Sequence, residues 1–150
     1  MTREELIALA WDAAARHELP PELVCAVIEQ ESDWDANAIR YEPAFYDRYV
    51  YPMSLKRAIS ETEGRARAFS WGLMQTMGEV AREFGFAGKC LSALCEPATG
   101  LEIGCKVLAH KLAVNQGNVA HALLAWNGGG NPEYPAQVLV RVEKYRAARG

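Results

Sequence analysis

The chain has 150 residues, half of them apolar and 23% charged, with a formal net charge of −3. That length and balance suit one soluble globular domain with a sizeable core, and they supply no basic field to hold nucleic acid or an anionic membrane. No run approaches the roughly 18 apolar residues of a membrane span.

The N-terminus, Met1-Thr-Arg-Glu-Glu-Leu6, has acids where a signal peptide carries bases. The sequence is therefore expected to be made in the cytoplasm without an export signal, and to need release or delivery to act outside it. Thr2 to Glu5 reads as a capping box opening a helix to about His17, with Leu6, Ala10, Ala13 and Ala14 on one face. Pro20-Pro21 starts a second helix, which the turn residues of Asp33-Trp-Asp-Ala-Asn37 end.

Residues 38–70 form an insert crowded with Tyr41, Phe45, Tyr46, Tyr49 and Tyr51 and then broken by Pro52. So aromatic a stretch reads as a packed flap. A short hairpin is expected in the 40–55 region, and a polar helix over Ser54 to Ala68 interrupted near Gly64. Thr76-Met-Gly-Glu79 and Thr99-Gly-Leu-Glu102 read as further capping boxes, opening helices to about Phe84 and Gln116. Asn118 caps another through Trp126, stopped by Gly128-Gly129-Gly130. A last helix is expected from about Pro135 to Ala147, with Val138, Leu139, Val142 and Tyr145 as its stripe. The whole reads as a single all-α domain over 1–150.

Four cysteines show no zinc spacing. Cys25 falls on an apolar helix face, as a small buried hydrophobe does. Cys90, Cys95 and Cys105 are near enough in sequence for one disulfide pairing Cys95 with either neighbour.

Glu31 carries the most information. It follows Val24, Val27 and Ile28 by seven, four and three residues, so on a helix it shares their inward stripe. A carboxyl aimed into apolar surroundings keeps its proton to higher pH, which a general acid acting on a glycosidic bond requires. The competing reading is a helix end whose Glu bonds backbone or an arginine.

Two further segments bear on that choice: Ser70-Trp-Gly-Leu-Met-Gln75 and Ala125-Trp-Asn-Gly-Gly-Gly130. With Glu31-Ser32 before them and Tyr134 in Glu133-Tyr-Pro-Ala-Gln-Val138 after them, the ordered set resembles the catalytic domain of soluble lytic transglycosylases, related to goose-type lysozymes. The family pattern is an E-S pair ending a helix, a G-L-M-Q turn, an A-Y-N-x-G turn and a Tyr opening the last helix. The helix from Thr99 to Leu108 also looks like the family's, and the resemblance runs from Pro20 to Tyr145. Trp126 stands where the family has Tyr, the triple glycine loosens that turn, and the insert is long, as in phage-type relatives.

The resemblance implies a lysozyme-like fold with a cleft, and cleavage of peptidoglycan between N-acetylmuramic acid and N-acetylglucosamine to leave 1,6-anhydro ends. Glu31 is then acid and afterwards base. Ser32, Gly72, Met74, Gln75, Trp126, Asn127 and Tyr134 are the substrate-binding candidates. Ser32 either orients Glu31 or caps the helix; Gly72 admits substrate or makes a turn. Gln75 bonds acetamido groups or its own turn, and Met74 lines the cleft or the core. Asn127 holds an acetamido carbonyl or is a left-handed turn residue. Trp126 offers a face to a pyranose or packs, and Tyr134 brings its hydroxyl to Glu31.

Other chemistry lacks support. His17, His110 and His121 are scattered, so neither metal nor cofactor is expected. The glycines follow a helix and lack a Lys-Ser/Thr, and no nucleophile elbow occurs. Asp33 and Asp35 are turn residues. A second acid would come from Glu42, Asp47, Glu61 or Glu63 of the insert, making the alternative a hydrolytic muramidase. A glycan-binding module without turnover is the second alternative. The expected partner is the peptidoglycan strand, bound by a monomer, with cleft contacts dominating affinity because the chain is acidic.

Overall fold

The structure is a computed structural model and describes residues 1–149. Its centre is helix α2, Pro21–Ser32, in which six consecutive residues from Leu23 to Ile28 are buried. A helix apolar all round must be covered on every side, and α1 (Arg3–Arg16) and the C-terminal helix pack along it. Thr2 caps α1 in a full capping box, and Asp33 and Trp34, both left-handed at φ 49° and 67°, end α2.

The insert differs from its sequence reading. Strand β1 (Ile39–Tyr41) is followed by α3 (Pro43–Phe45), a π-helical turn over Tyr46–Val50 and α4 (Tyr51–Arg57). Residues 43–57 are thus helical, and no hairpin lies in the 40–55 region. Pro52 sits in the first turn of α4, directly after the π-helical turn, and does not break the helical run. The break in the 54–68 stretch falls at Ala58, left-handed at φ 52°; α5 then runs Glu61–Arg67, capped by Ser60. Gly64 lies inside α5, buried among Tyr46, Val50 and Ile59.

The hairpin belongs to β2 (Phe69–Trp71) and β3 (Thr76–Met77), and β1 adds antiparallel to its other edge. The register pairs Arg40 with Ser70 and Ser70 with Met77. Directly opposed residues share a face, so Arg40, Ser70 and Met77 point one way, and Tyr41, Phe69 and Trp71 the other.

Helix α6 spans Gly78–Glu83, and the expected capping box at Thr76 is absent because Thr76 is paired in β3. Glu79 is instead 3% exposed and held by Arg57 at 3.1 Å and Arg67 at 3.2 Å. Together with Glu63, which binds Arg67 and Arg82, this network fastens the insert to the body.

A 3₁₀ turn at Leu91–Cys95 leads into α7, Pro97–Val114. Its cap is the Glu96 side chain, three residues before Thr99, and Glu102 binds Arg16 and His17 across to α1. Asn118 does cap α8 (Val119–Trp126), and α9 occupies Tyr134–Arg149. Val138, Val142 and Tyr145 face the core, while Leu139 is 38% exposed and off that stripe. All four cysteines are free thiols, with Cys25 and Cys105 buried, and Cys95 is paired with neither Cys90 nor Cys105. Among the described residues no helix is long and apolar enough to cross a membrane.

Candidate active site

A cleft of about 620 Å³ runs between the insert and the α7–α8 pair, with Glu31 in its wall. Glu31 is there because α2 ends there. The helix drives its apolar stripe into the core, and its last inward position meets the cleft floor. A helix C-terminus also places partial negative charge near the carboxyl, which disfavours ionisation.

Two neutral donors reach Glu31. The Tyr134 hydroxyl donates to Oε1 at 2.6 Å, and the Trp126 indole N–H makes a longer contact to the same oxygen at 3.4 Å. Tyr134, the first residue of α9, is 3% exposed and sits behind the acid. Burial raises the Glu31 carboxyl above its ordinary value of 4.5; those hydrogen bonds and the charge of Arg40 oppose the shift without cancelling it. Burial likewise pushes the Tyr134 hydroxyl upward, aided by the adjacent carboxyl, so it stays a donor. With Oε1 occupied, Oε2 is the oxygen left to carry a proton into the cleft.

The G-L-M-Q turn divides its labour. Gly72 has φ +70°, and a Cβ there would meet the Leu94 carbonyl oxygen at 2.5 Å. Its close approach is thus to the 3₁₀ turn and not to substrate. Leu73 and Met74 are each 1% exposed; Met74 packs on Gly104, where an added Cβ would meet its sulfur at 2.4 Å. Met74 therefore belongs to the core and does not line the cleft. Only Gln75 of the four reaches the cleft. Its Nε2 donates to the Ala38 and Gly72 carbonyls, each at 2.9 Å, which fixes the amide with Oε1 as the free acceptor.

Ser32 also has a backbone task. Its hydroxyl lies 2.8 Å from the Leu73 carbonyl and 3.2 Å from that of Ile28, tying the end of α2 to the turn. Trp126 and Asn127 line the opposite wall at the end of α8. Asn127 is right-handed, and the left-handed residues are Gly128 and Gly129 that follow. The indole N–H of Trp126 is turned toward Glu31, and the residue lines the cleft.

Of the insert carboxyls, Glu42 alone lines the cleft, and Arg40 Nε holds it at 2.7 Å. Glu63 is in the anchoring network, Glu61 faces a separate groove and Asp47 is exposed. Asp35 caps its own turn through Asn37 N–H, and Asp33 pairs with Arg3. Sequence reasoning passed over Arg40, Phe45, Ser70 and Lys111, which also line the cleft. Lys111 was within reach: it continues the inward positions Gly104 and Val107 of α7. No group of three His, Cys, Asp or Glu able to hold a metal occurs among the described residues.

The family model for the transglycosylase SLT domain matches residues 9–140. No curated protein and no solved structure matches.

Proposed function

The chain belongs to the transglycosylase SLT domain family, whose members cleave peptidoglycan glycan strands, and from that premise we propose a lytic mechanism centred on Glu31. The observation that carries it is a half-buried carboxyl whose two hydrogen-bond donors, Tyr134 and Trp126, are both neutral.

Protonated Glu31 donates from Oε2 to the oxygen bridging N-acetylmuramic acid and N-acetylglucosamine. The C1–O bond breaks as the muramyl 2-acetamido oxygen closes on C1. Glu31, now ionised, is stabilised by the Tyr134 hydroxyl. It then takes the proton of the same sugar's C6 hydroxyl, O6 displaces the acetamido oxygen, and a 1,6-anhydro ring results. Glu31 ends as it began, protonated, and no water is consumed. Gln75 Oε1 accepts from an acetamido N–H or a sugar hydroxyl, and the Asn127 amide holds the reacting acetamido group toward C1.

Glu42 gives hydrolysis its one foothold, since a carboxylate across the cleft with room for water is what an inverting enzyme needs. Its engagement by Arg40 favours the one-carboxyl route. Digesting purified peptidoglycan with wild type, Glu31→Gln and Glu42→Gln, and weighing the muropeptides, separates the two. The lytic route predicts products lacking one water per cleaved bond, none from Glu31→Gln, and a loss of no more than about threefold in Glu42→Gln. Full-mass reducing ends, lost in both variants, would establish hydrolysis. No products from any of the three would leave a glycan-binding module.

A further inference from the structure

Among the described residues, Lys111 is the one charged side chain of the cleft without a polar partner. Arg40 is paired with Glu42 at 2.7 Å, and Glu31 is satisfied by neutral donors. Lys111 lines the same cleft, half-buried, and its ammonium group has neither an ion pair nor a hydrogen bond among the described residues. The remaining lysines that are described (Lys56, Lys89, Lys106 and Lys144) are all exposed, where water solvates the charge. The half-buried arginines (Arg67, Arg82 and Arg141) each have a carboxylate within 3.2 Å. A partly desolvated cation without a counter-charge is costly unless a ligand supplies one.

Placement sharpens the point. Lys111 follows Gly104 and Val107 on the inward stripe of α7, and the cleft it lines is walled in part by the apolar Val80, Val107 and Met77. A neutral sugar needs no such cation, whereas a carboxylate answers both its charge and its donors.

We infer that Lys111 is a specificity residue that binds a substrate carboxylate carried on the lactyl arm of N-acetylmuramic acid. This rests on the glycan-cleaving function proposed above. The carboxylate has two sources: the lactate itself on peptide-free strands, or a side group of the stem peptide where that is attached. Each presents the same chemistry to Lys111.

The test compares half-saturating concentrations for three substrates: peptide-bearing strands, peptide-stripped strands with free lactyl carboxylates, and stripped strands whose carboxylates are capped as methyl amides. Wild type, Lys111→Met and Lys111→Arg are each assayed. Wild type is expected to need about tenfold more of the capped strand than of its preferred carboxylate strand, the worth of one charge-assisted hydrogen bond. Lys111→Met, which keeps the apolar stem, brings that ratio to about one, and Lys111→Arg retains most of it. Preference for the stripped strand over its capped form identifies the lactate, and preference confined to peptide-bearing strands identifies the stem. A wild-type ratio near one, or the wild-type ratio persisting in Lys111→Met, overturns the inference and leaves the cleavage reading standing. No cleavage of any substrate by wild type overturns both.

Discussion

Helix α2 presents two glutamates two residues apart, and its two faces treat them oppositely. Glu29 accepts a hydrogen bond from Tyr145 at 2.9 Å, as Glu31 does from Tyr134 at 2.6 Å, and both tyrosines come from α9. Each site also has an indole: Trp34 donates to Tyr145, and Trp126 to Glu31. What differs is cations. Glu29 has Lys144 at 2.7 Å, Arg141 at 3.2 Å and Arg3 at 3.7 Å. Burial pushes the Glu29 carboxyl upward, but hydrogen bonds from Lys144 and Tyr145 and the charges of Lys144 and Arg141 outweigh it and leave it below its ordinary value. Glu31 has only the opposing charge of Arg40, and burial wins. A tyrosine hydroxyl therefore does not decide which glutamate is an acid; the balance of burial against direct ion pairing does. Glu79, deeply buried between Arg57 and Arg67, serves as an anchor.

The largest test of this contrast removes the acid. Glu31→Gln is expected to lower turnover by about a thousandfold, within the range for a general acid–base residue. The fold should survive. Because the native state holds this proton more tightly than the unfolded chain, wild type loses stability as pH rises from about 4.5 through the raised folded value. The variant escapes that loss, so thermal melting at pH 8 should show it at least as stable as wild type. A marked drop in its melting temperature would mean that Glu31 is a structural residue.

Tyr134→Phe comes next, with turnover reduced about thirtyfold, or roughly 2 kcal/mol, for one hydrogen bond to a charged group. Its pH–rate profile carries the sharper signature. The hydroxyl favours ionised Glu31, so without it the carboxyl keeps its proton to higher pH and the alkaline limb moves up. A limb that moves down would reverse the assigned role of Tyr134.

On the other face, Glu29→Gln should cost about 1.5 kcal/mol at pH 7, discounted because the three cations are partly exposed. Glu29 has a depressed folded value, so its contribution is present above the unfolded value near 4.5 and disappears as pH falls through the folded one. Denaturant melts of wild type and variant should converge there, with turnover per folded molecule within about twofold of wild type at pH 7. Tyr145→Phe should give the smallest change, about 1 kcal/mol in the same melts.

The fold class and the acid were legible in the sequence, for reasons of range, but Glu29 and its cations were not. Inward stripes and the caps at Thr2 and Asn118 are local, so the helical fold class could be read directly. Glu31, Gln75, Trp126, Asn127 and Tyr134 sit in short segments whose order the resemblance supplied; the structure lines one cleft with the first four and buries Tyr134 behind Glu31, where it bonds the acid and not substrate. Pairings between distant segments were not legible. Thr76 and Glu79 have the spacing of a capping box, yet strand pairing claims the first and Arg57 and Arg67 the second. Ser32 and Gly72 look like substrate contacts only until Leu73 and Leu94 carbonyls are found beside them. The Arg40–Glu42 pair and unpaired Lys111 depend on which charges meet across the cleft, which a single sequence does not state.

The central claim is that two glutamates on one helix, each bonded to a tyrosine, hold their protons to different pH because burial outweighs the opposing groups at Glu31 while direct ion pairs outweigh it at Glu29. Carbon-13 NMR of carboxyl-labelled glutamate, with Glu29→Gln and Glu31→Gln giving the assignments, reads both titrations in one sample. Glu31 should titrate above 4.5 and Glu29 below it. Titration of Glu31 at or below the value found for Glu29 would contradict the account.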